Sequence, residues 1–308
     1  MTQDTPNNSA FERVYAIVVT YEPDIGKVDL LYQKICTQVS GLVVVDNGSS
    51  TEVVSWLQSR DVTIDYELIP LGENKGIAFA QNAGIRHAQA AGANYVVLFD
   101  HDSDPETDLV KKLLGAIRCK QAEGKQVASA GPRYRDARQG TLPPFVRVEG
   151  LRLRRVECTD HKIVEVDYLI ASGCLIPMTT MNKVGLMRDD LFIDYVDIEW
   201  GLRAKHLGFQ SFGVCDAHMS HSLGETPIKF RGKVHPLHRP SRHYYHFRNA
   251  VRLYQERDLP LNWKLVDSYR LLRQYIFYSV FAKPRLKHWM MMTKGIWHGL
   301  CRKSGPLG

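Results

Sequence analysis

The stretch YVVLFDHDSDP, Tyr95 to Pro105, runs five apolar residues into aspartates at alternate positions, Asp100, Asp102 and Asp104. An apolar run of this length bounded by turn residues reads as a buried strand. Carboxylates spaced two apart repel one another unless something positive sits among them. Asp104 has a local explanation: followed by Pro105, Glu106 and Asp108, it reads as the N-cap of a helix with an acidic first turn. Asp100 and Asp102 have no cap to make. At i, i+2 on a strand end they can project to one side, and two such carboxylates suit a hard divalent cation shared with diphosphate oxygens.

Upstream the same pattern repeats. VYAIVVTY (14–21) is a β-branched run ending in a loop, GLVVVDNGSS (41–50) is another ending in turn residues, and KVDLLYQKICTQV (27–39) between them has helical spacing. VTIDYELIP (62–70) is a third strand, and the Ala-rich GIAFAQNAGIRHAQAAGA (76–93) is a helix leading into the strand at 95–99. This alternation predicts an α/β fold, a mostly parallel sheet with helices on both faces and ligands beyond the carboxyl ends of the strands. The polar signatures TYEP, DNGS, ENKG and DHDSDP all fall at those ends. Each alone is also ordinary turn chemistry. No GxxxxGK[ST] is present and no GxGxxG follows the first strand, so phosphates are expected to meet metal rather than a helix N-terminus.

At 308 residues and 44% hydrophobic, the chain can bury one large core or two small ones. Its polar start, residues 1–11, reads as a disordered N-terminus without a signal core, and no run reaches the roughly 18 apolar residues that cross a bilayer. The cysteines at 36, 119, 158, 174, 215 and 301 show no CxxC pair or paired spacing. Neither a zinc site nor a disulfide framework is expected, and a reducing cytosol fits. The net charge of +7 is uneven: residues 241–308 carry 13 Lys and Arg against 3 Asp and Glu, leaving −3 for everything before. That basic tail speaks of a partner rather than of the fold.

FIDYVDIEWGLRAKHLG (192–208) has a structural reading as an amphipathic helix, with Trp200, Leu202 and Leu207 facing the core and Arg203 paired to Glu199 at i, i+4. Beyond it come CDAHMSHSLGE (215–225) and KFRGKVHPLHRPSRHYYHFRN (229–249), rich in Lys, Arg and His with Gly and Pro hinges.

Taken in order, VVTYEP, VVVDNGS, ENKGIAFAQNAGI, FDHDSDP, ASGCLIP, DYVDIEWGLR, HSLGE and HYYHFRN resemble the inverting family 2 glycosyltransferases of GT-A fold over about residues 14–255. Within them the chain is similar to the bacterial rhamnosyltransferases of lipopolysaccharide and related surface glycans. The resemblance implies a nucleotide-sugar donor, dTDP-L-rhamnose first, and Mg²⁺ or Mn²⁺. It implies single displacement with inversion onto a saccharide hydroxyl carried on lipid or a lipopolysaccharide precursor. Position by position it puts Thr20, Tyr21 and Glu22 by the nucleoside and Asp46 on the pyrimidine base. Asn74, Lys75 and Gly76 line the donor site, while Asp100 and Asp102 hold metal and diphosphate, with His101 a spacer. His221 closes over the metal and diphosphate. Where relatives read Glu-Asp, this chain has Val196 before Asp197; Asp197 falls on the general base, and Glu199 on a second acid that orients the acceptor or supports the base. The implied division is a nucleotide-sugar half (12–130), an acceptor half (131–240) and a basic helical region (241–308).

The alternatives are the same chemistry with another donor, a UDP-hexose or galactofuranosyl unit, or a nucleotide- or nucleic-acid-binding protein without transferase activity. The chain lacks a nucleic-acid-binding motif, and a basic tail alone does not explain two acidic motifs, so no nucleic-acid partner is expected. The segment from about Leu265 to Lys303 interleaves Tyr, Phe, Trp and Met with Arg and Lys, and Pro284 divides it into two helices. It is expected to dock the enzyme peripherally on the inner face of the cytoplasmic membrane. The competing expectation packs it on the catalytic domain or on a second subunit of a homo-oligomer.

Overall fold

The computed structural model describes residues 12–136, 142–158, 162–221, 228–230, 233–235 and 237–307. The expected disordered segment 1–11 and residues 222–225 of HSLGE lie outside the described residues. The chain opens with β1 (Val14–Thr20), α1 (Ile25–Ile35), β2 (Gly41–Asp46), α2 (Thr51–Gln58), β3 (Asp65–Pro70), α3 (Ile77–Ala90) and β4 (Tyr95–Asp100). It continues through β5 (Asp104–Pro105), α4 (Leu109–Ala122), β6 (Val127–Asp136), a hairpin of β7 (Phe145–Glu149) and β8 (Arg152–Val156), β9 (Ile163–Val166) and β10 (Leu175–Pro177). Then follow α5 (Met178–Val184), α6 (Val196–His206), β11 (Gln210–His221), and β12 (Ile228–Phe230) with β13 (Lys233–His235). The helices α7 (Pro240–Tyr254), α8 (Leu261–Phe281) and α9 (Arg285–Leu300) close it.

The central sheet has the order β3-β2-β1-β4-β10-β6-β11-β5, with β9 also on β11. Its long ladders, β1 with β2 and β4, β2 with β3, and β6 with β11, are parallel. Short β10, β5 and β9 pair antiparallel. The expected α/β architecture is therefore present. β1 and β2 are buried along their whole length, as interior parallel strands covered on both faces must be, and their unbroken Val and Ile runs supply that surface. Alternation then sorts the core. Val14, Ala16 and Val18 join α1 and α4 on one face, while Ile17 and Val19 join α3 and α6 on the other. A third cluster, built on Phe247, Leu253, Trp263, Leu271 and Met292, unites the C-terminal helices. There α9 lies so close to α7 that a Cβ on Gly295 would stand 2.5 Å from the Tyr244 carbonyl oxygen, which only a missing side chain permits. The division expected at 130/131 falls inside β6.

Three local expectations are corrected. Asp104 does not cap a helix: it lies in β5, ion-paired with Lys34, and α4 starts at Leu109. The cause is tertiary, because Glu106 N donates to the His218 carbonyl (3.2 Å) and holds the segment on the sheet edge, where a proline is tolerated. Leu207 lies beyond the end of α6 and is 48% exposed, unlike buried Trp200 and Leu202. Cys158 and Cys215 form a disulfide, with Cα atoms 5.6 Å apart across 57 residues of sequence. Pairing of β9 with β11 brings the two together, which no spacing could foretell, and the sequence argument for a reducing compartment loses its ground.

Candidate active site

The strand order reverses beside β1, whose neighbours are β2 and β4, and a crevice opens beyond the carboxyl ends at such a point. Register places Thr20 beside Asp46 and Val19 beside Asp100, so the first, second and fourth polar signatures meet there. Asp46 is wholly buried and accepts from Thr20 Oγ1 (2.9 Å), Ser49 N (2.9 Å), Ser49 Oγ (2.5 Å) and Gly48 N (3.2 Å). As found, it shapes the DNGS turn. Glu22 ties the first loop to that turn, donating its N–H to Ser49 Oγ and accepting from Ser50 N, each at 2.8 Å. Tyr21 stands 49% exposed at the rim.

The third loop joins the same lattice. Asn47 donates to Asn74 Oδ1 (3.1 Å) and accepts from Lys75 N (2.9 Å), while Gly76 N donates to Asn74 Oδ1 (3.0 Å). Gly76 sits at φ +89° with the Phe192 carbonyl 2.6 Å from where a Cβ would stand, so any side chain there would meet strain and a clash at once. Lys75 lies over the Phe79 ring at 5.3 Å.

Asp100 ends β4 and Asp102 lies in the following turn, both partly exposed. The turn is fixed from beneath by Ser172, whose Oγ lies 3.3 Å from Asp100 N and 2.5 Å from Ser103 Oγ. His221 is the last residue of β11, one step past the Ser220–Asp104 pair, so its backbone runs beside this turn. Among the described residues no three His, Cys, Asp or Glu side chains form a ready-made metal cage. Two carboxylates are nonetheless the hard oxygen donors that Mg²⁺ or Mn²⁺ takes when substrate phosphates complete its shell. The residues fit such an ion.

The other wall is the loop before α6. Phe192, Asp194 and Tyr195 have φ near +65°, at 67°, 64° and 63°, a region that costs a non-glycine residue about 1–3 kcal/mol. Packing and hydrogen bonds over-determine it. The Asn249 amide nitrogen lies 2.9, 2.7 and 2.9 Å from the carbonyls of Leu191, Ile193 and Asp194, so its two protons are shared among three acceptors. Arg248, fully buried, donates to the Leu191 carbonyl (2.8 Å), and Tyr195 donates to Asp267 on α8 (2.8 Å). Asn82 of α3 pins the approach, donating to the Met187 carbonyl (2.8 Å) and accepting from its N–H (2.9 Å). Burial works against the Asp190 charge, yet Arg188 and Arg252 bring it down to about 2.

This scaffold delivers Asp197 in the first turn of α6, partly exposed, its Oδ1 accepting from Ile198 N at 2.9 Å. Burial pushes its carboxyl up to about 6, and nearby Asp194 adds to the rise. Apolar Leu98, Leu169 and Ile176 line a small cavity against it. Glu199, two residues on, is 4% exposed and takes Arg203 in a bidentate pair at 2.8 and 3.0 Å, the i, i+4 partnership expected of the helix. Arg203 also donates to the carbonyls of Val184, the last residue of α5, and of Leu186 (2.8 Å), so Glu199 anchors α6 to the end of α5.

Two residues not singled out from the sequence complete the site. Arg242, at the start of α7, pairs with Asp194 at 3.1 Å, and its guanidinium is raised by Asp194 and further by Asp100 and Asp197. It therefore stands in the field of both acidic motifs. Their sequence signal was thin: one Asp in a hydrophobic run and one Arg among many.

The family model for Glycosyl transferase family 2 matches residues 29–162. The dTDP-rhamnosyl transferase RfbF of Shigella flexneri is 33% identical over 253 residues, 80% of this chain and 82% of that protein. Among solved structures, S. aureus TarS 1–349 with UDP-GlcNAc superposes with a TM-score of 0.58 at 13% identity, covering 93% of this chain and 81% of that one. GalNAc-T7 with UDP, GalNAc and Mn²⁺ gives 0.56 at 11%, covering 89% of this chain but 58% of that longer one. At such identities the likeness is one of fold, the GT-A fold. Sequence identity over most of the chain carries more: the chain belongs to glycosyl transferase family 2.

Proposed function

We propose that this enzyme transfers L-rhamnose from dTDP-L-rhamnose, with inversion, to a saccharide hydroxyl of a lipid-linked glycan or lipopolysaccharide precursor. The donor rests on its likeness to RfbF, and the acceptor is chosen by the resemblance of its motifs. The resemblance of the motifs supports a reaction on the cytoplasmic side of the membrane.

In this reading the base lies against the turn organised by Asp46, beside Thr20, Tyr21 and Glu22, while Asn74, Lys75 and Gly76 flank the donor. Asp100 and Asp102, with His221, hold Mg²⁺ or Mn²⁺ and the diphosphate; when bound, the ion neutralises charge growing on the leaving group. Arg242 adds a cation near the same place. Asp197 takes the proton from the acceptor hydroxyl, which is a poor nucleophile until it is removed. Glu199 supports it by fixing α6 through Arg203.

The observation that carries this reading is geometric: strand register gathers Thr20, Asp46 and Asp100 at one crevice, and α6 presents Asp197 in its first turn, a carboxyl that burial raises. A base is most useful when its pKa lies close to the working pH, strong enough to take a proton yet ionised. The test is a donor panel. Purified enzyme is offered dTDP-rhamnose, UDP-glucose and UDP-galactose, and nucleotide release and product anomer are measured with and without acceptor. Release from dTDP-rhamnose alone, with an inverted product, is expected; turnover of a UDP-hexose instead, or a retained anomer, defeats the proposal.

A further inference from the structure

Helices α8 and α9 each bury one face and leave the opposite one bare. On α8 the buried side chains are Trp263, Asp267, Leu271 and Tyr278. Opposite them Leu265, Tyr269, Leu272 and Ile276 are 49%, 65%, 57% and 58% exposed, spaced three or four apart in one stripe that Leu261 begins and Val280 ends. On α9, His288, Met292, Gly295 and Gly299 pack inward. Leu286, Met290, Trp297 and Leu300 are exposed four, seven and three apart, with Thr293 and Lys294 at the turn between Met290 and Trp297. Tyr275 and Thr293, hydrogen-bonded at 2.8 Å, join the flanks of the two stripes. Single exposed apolar residues need no explanation, but two adjoining stripes mark a surface that meets something apolar.

Charge decides what that is. From Leu261 to Gly308 the sequence has nine Lys and Arg and one acidic side chain, Asp267. Asp267 is 4% exposed and points inward, accepting from Tyr195 and Tyr254 and pairing with Arg270. Arg273, Lys283, Lys287 and Lys294 are exposed. A second copy set face to face across a twofold axis would press like charges together, with no exposed carboxylate on either helix to pair them. An anionic lipid surface complements both the apolar stripes and their cations. No helix among the described residues is long and apolar enough to cross a bilayer, so the contact is with the surface.

We propose that the outer face of the α8–α9 pair lies on an anionic bilayer surface. Its apolar side chains enter the headgroup boundary, and Arg273, Lys283, Lys287 and Lys294 meet the lipid phosphates. The inference stands on this surface alone and is independent of the donor sugar. It has one structural corollary: the inner face of α8 holds Tyr195 through Asp267, so the helix on the membrane also braces the loop that leads to Asp197.

The test is flotation of the full chain with phosphatidylglycerol-containing and with pure phosphatidylcholine vesicles, at low and high salt. Two double variants change only exposed positions: Leu272→Ser with Ile276→Ser, and Lys287→Gln with Lys294→Gln. Wild type should float with anionic vesicles at low salt and far less with neutral ones. The serine pair should stay in solution, and the glutamine pair should bind about fivefold more weakly for each cation removed, the difference vanishing at high salt. Both variants should keep wild-type melting temperature and transfer to a soluble acceptor. Wild type remaining in solution with anionic vesicles at low salt overturns the proposal. So does equal flotation of the serine pair. Conversion of a dimer to a monomer by the serine pair in sedimentation, without a change in flotation, assigns the face to a second copy instead.

Discussion

The two walls of the crevice are built by opposite means. The loops after β1, β2 and β3 are laced by short polar side chains reaching one turn over, Thr20 and Ser49 to Asp46, Glu22 to Ser50, Asn47 to Asn74. The loop at 189–195 carries three non-glycine residues at positive φ and is gripped from more than fifty positions away by Arg248, Asn249 and Asp267. The first wall is laced between neighbouring strand ends, across fewer than thirty positions, and holds one non-glycine residue at positive φ, Glu22 at 43°. The second is strained and survives because distant elements over-determine it, which is how a site holds a reactive carboxylate in place. If the walls also divide the work, their variants should separate nucleotide binding from turnover.

The largest effect is expected at the first wall's end. Asp100→Asn or Asp102→Asn should abolish transfer, and EDTA should do so reversibly, since losing one carboxylate from a two-acid site removes both charge and an oxygen ligand. Full activity after chelation would mean that a cationic side chain, Arg242 foremost, holds the diphosphate.

Next in size is Asp197→Asn. Turnover should fall roughly 10²- to 10⁴-fold while dTDP binding, read by calorimetry, stays near wild type. In wild type, kcat/KM should drop tenfold per pH unit below about 6, because protonation removes the base. The sign for stability is the reverse. A carboxyl raised to about 6 binds its proton more tightly in the native state, so its stabilising effect is complete below about pH 4 and is lost as pH rises through 6. At pH 7 the neutral Asn should therefore raise stability, by about 1–3 kcal/mol, as activity collapses. Parallel loss of binding and turnover would move Asp197 to the nucleotide wall.

The third prediction strikes the grip itself. Asn249→Leu takes a donor from the Ile193 and Asp194 carbonyls, while Leu191 keeps Arg248, and should cost about 1–3 kcal/mol in urea unfolding, with turnover lost well before nucleotide affinity. An equal fall in affinity would show that the walls are one cooperative unit.

The same contrast explains what the sequence could tell. β1 to β4 and the helices α1 and α3 were legible because buried parallel strands are unbroken apolar runs and their turns are local chemistry. α2 was missed: eight residues with only Val53 and Leu57 buried give too short a period to see. Asp197 could be placed from its motif, but nothing local distinguishes Asp194 from a turn residue or Arg242 from any surface cation. Their meaning comes from a contact 48 residues long. Glu199 and Arg203 were legible as a helical pair because i, i+4 geometry is local, whereas Cys158 and Cys215 needed the β9–β11 pairing to meet.

The smallest effect tests that lesson where a local rule failed. Asp104 had every mark of an N-cap, yet it lies in β5 with its carboxylate on Lys34, the two side chains 54% and 35% exposed. A pair so open to water is screened and contributes at most about 1 kcal/mol, and less at high salt. Asp24 is the contrasting case, a true cap whose carboxylate accepts from Gly26 N at 3.0 Å and Lys27 N at 3.4 Å. Asp24→Ala should cost about 1 kcal/mol, largely insensitive to salt, because an orphaned helix N–H is a local loss. Asp104→Ala should cost half of that or less at low salt and nothing measurable at high salt. Urea unfolding of both variants at two ionic strengths reads the difference. Equal, salt-independent losses would return Asp104 to a helix terminus and show that the sequence was right about this residue.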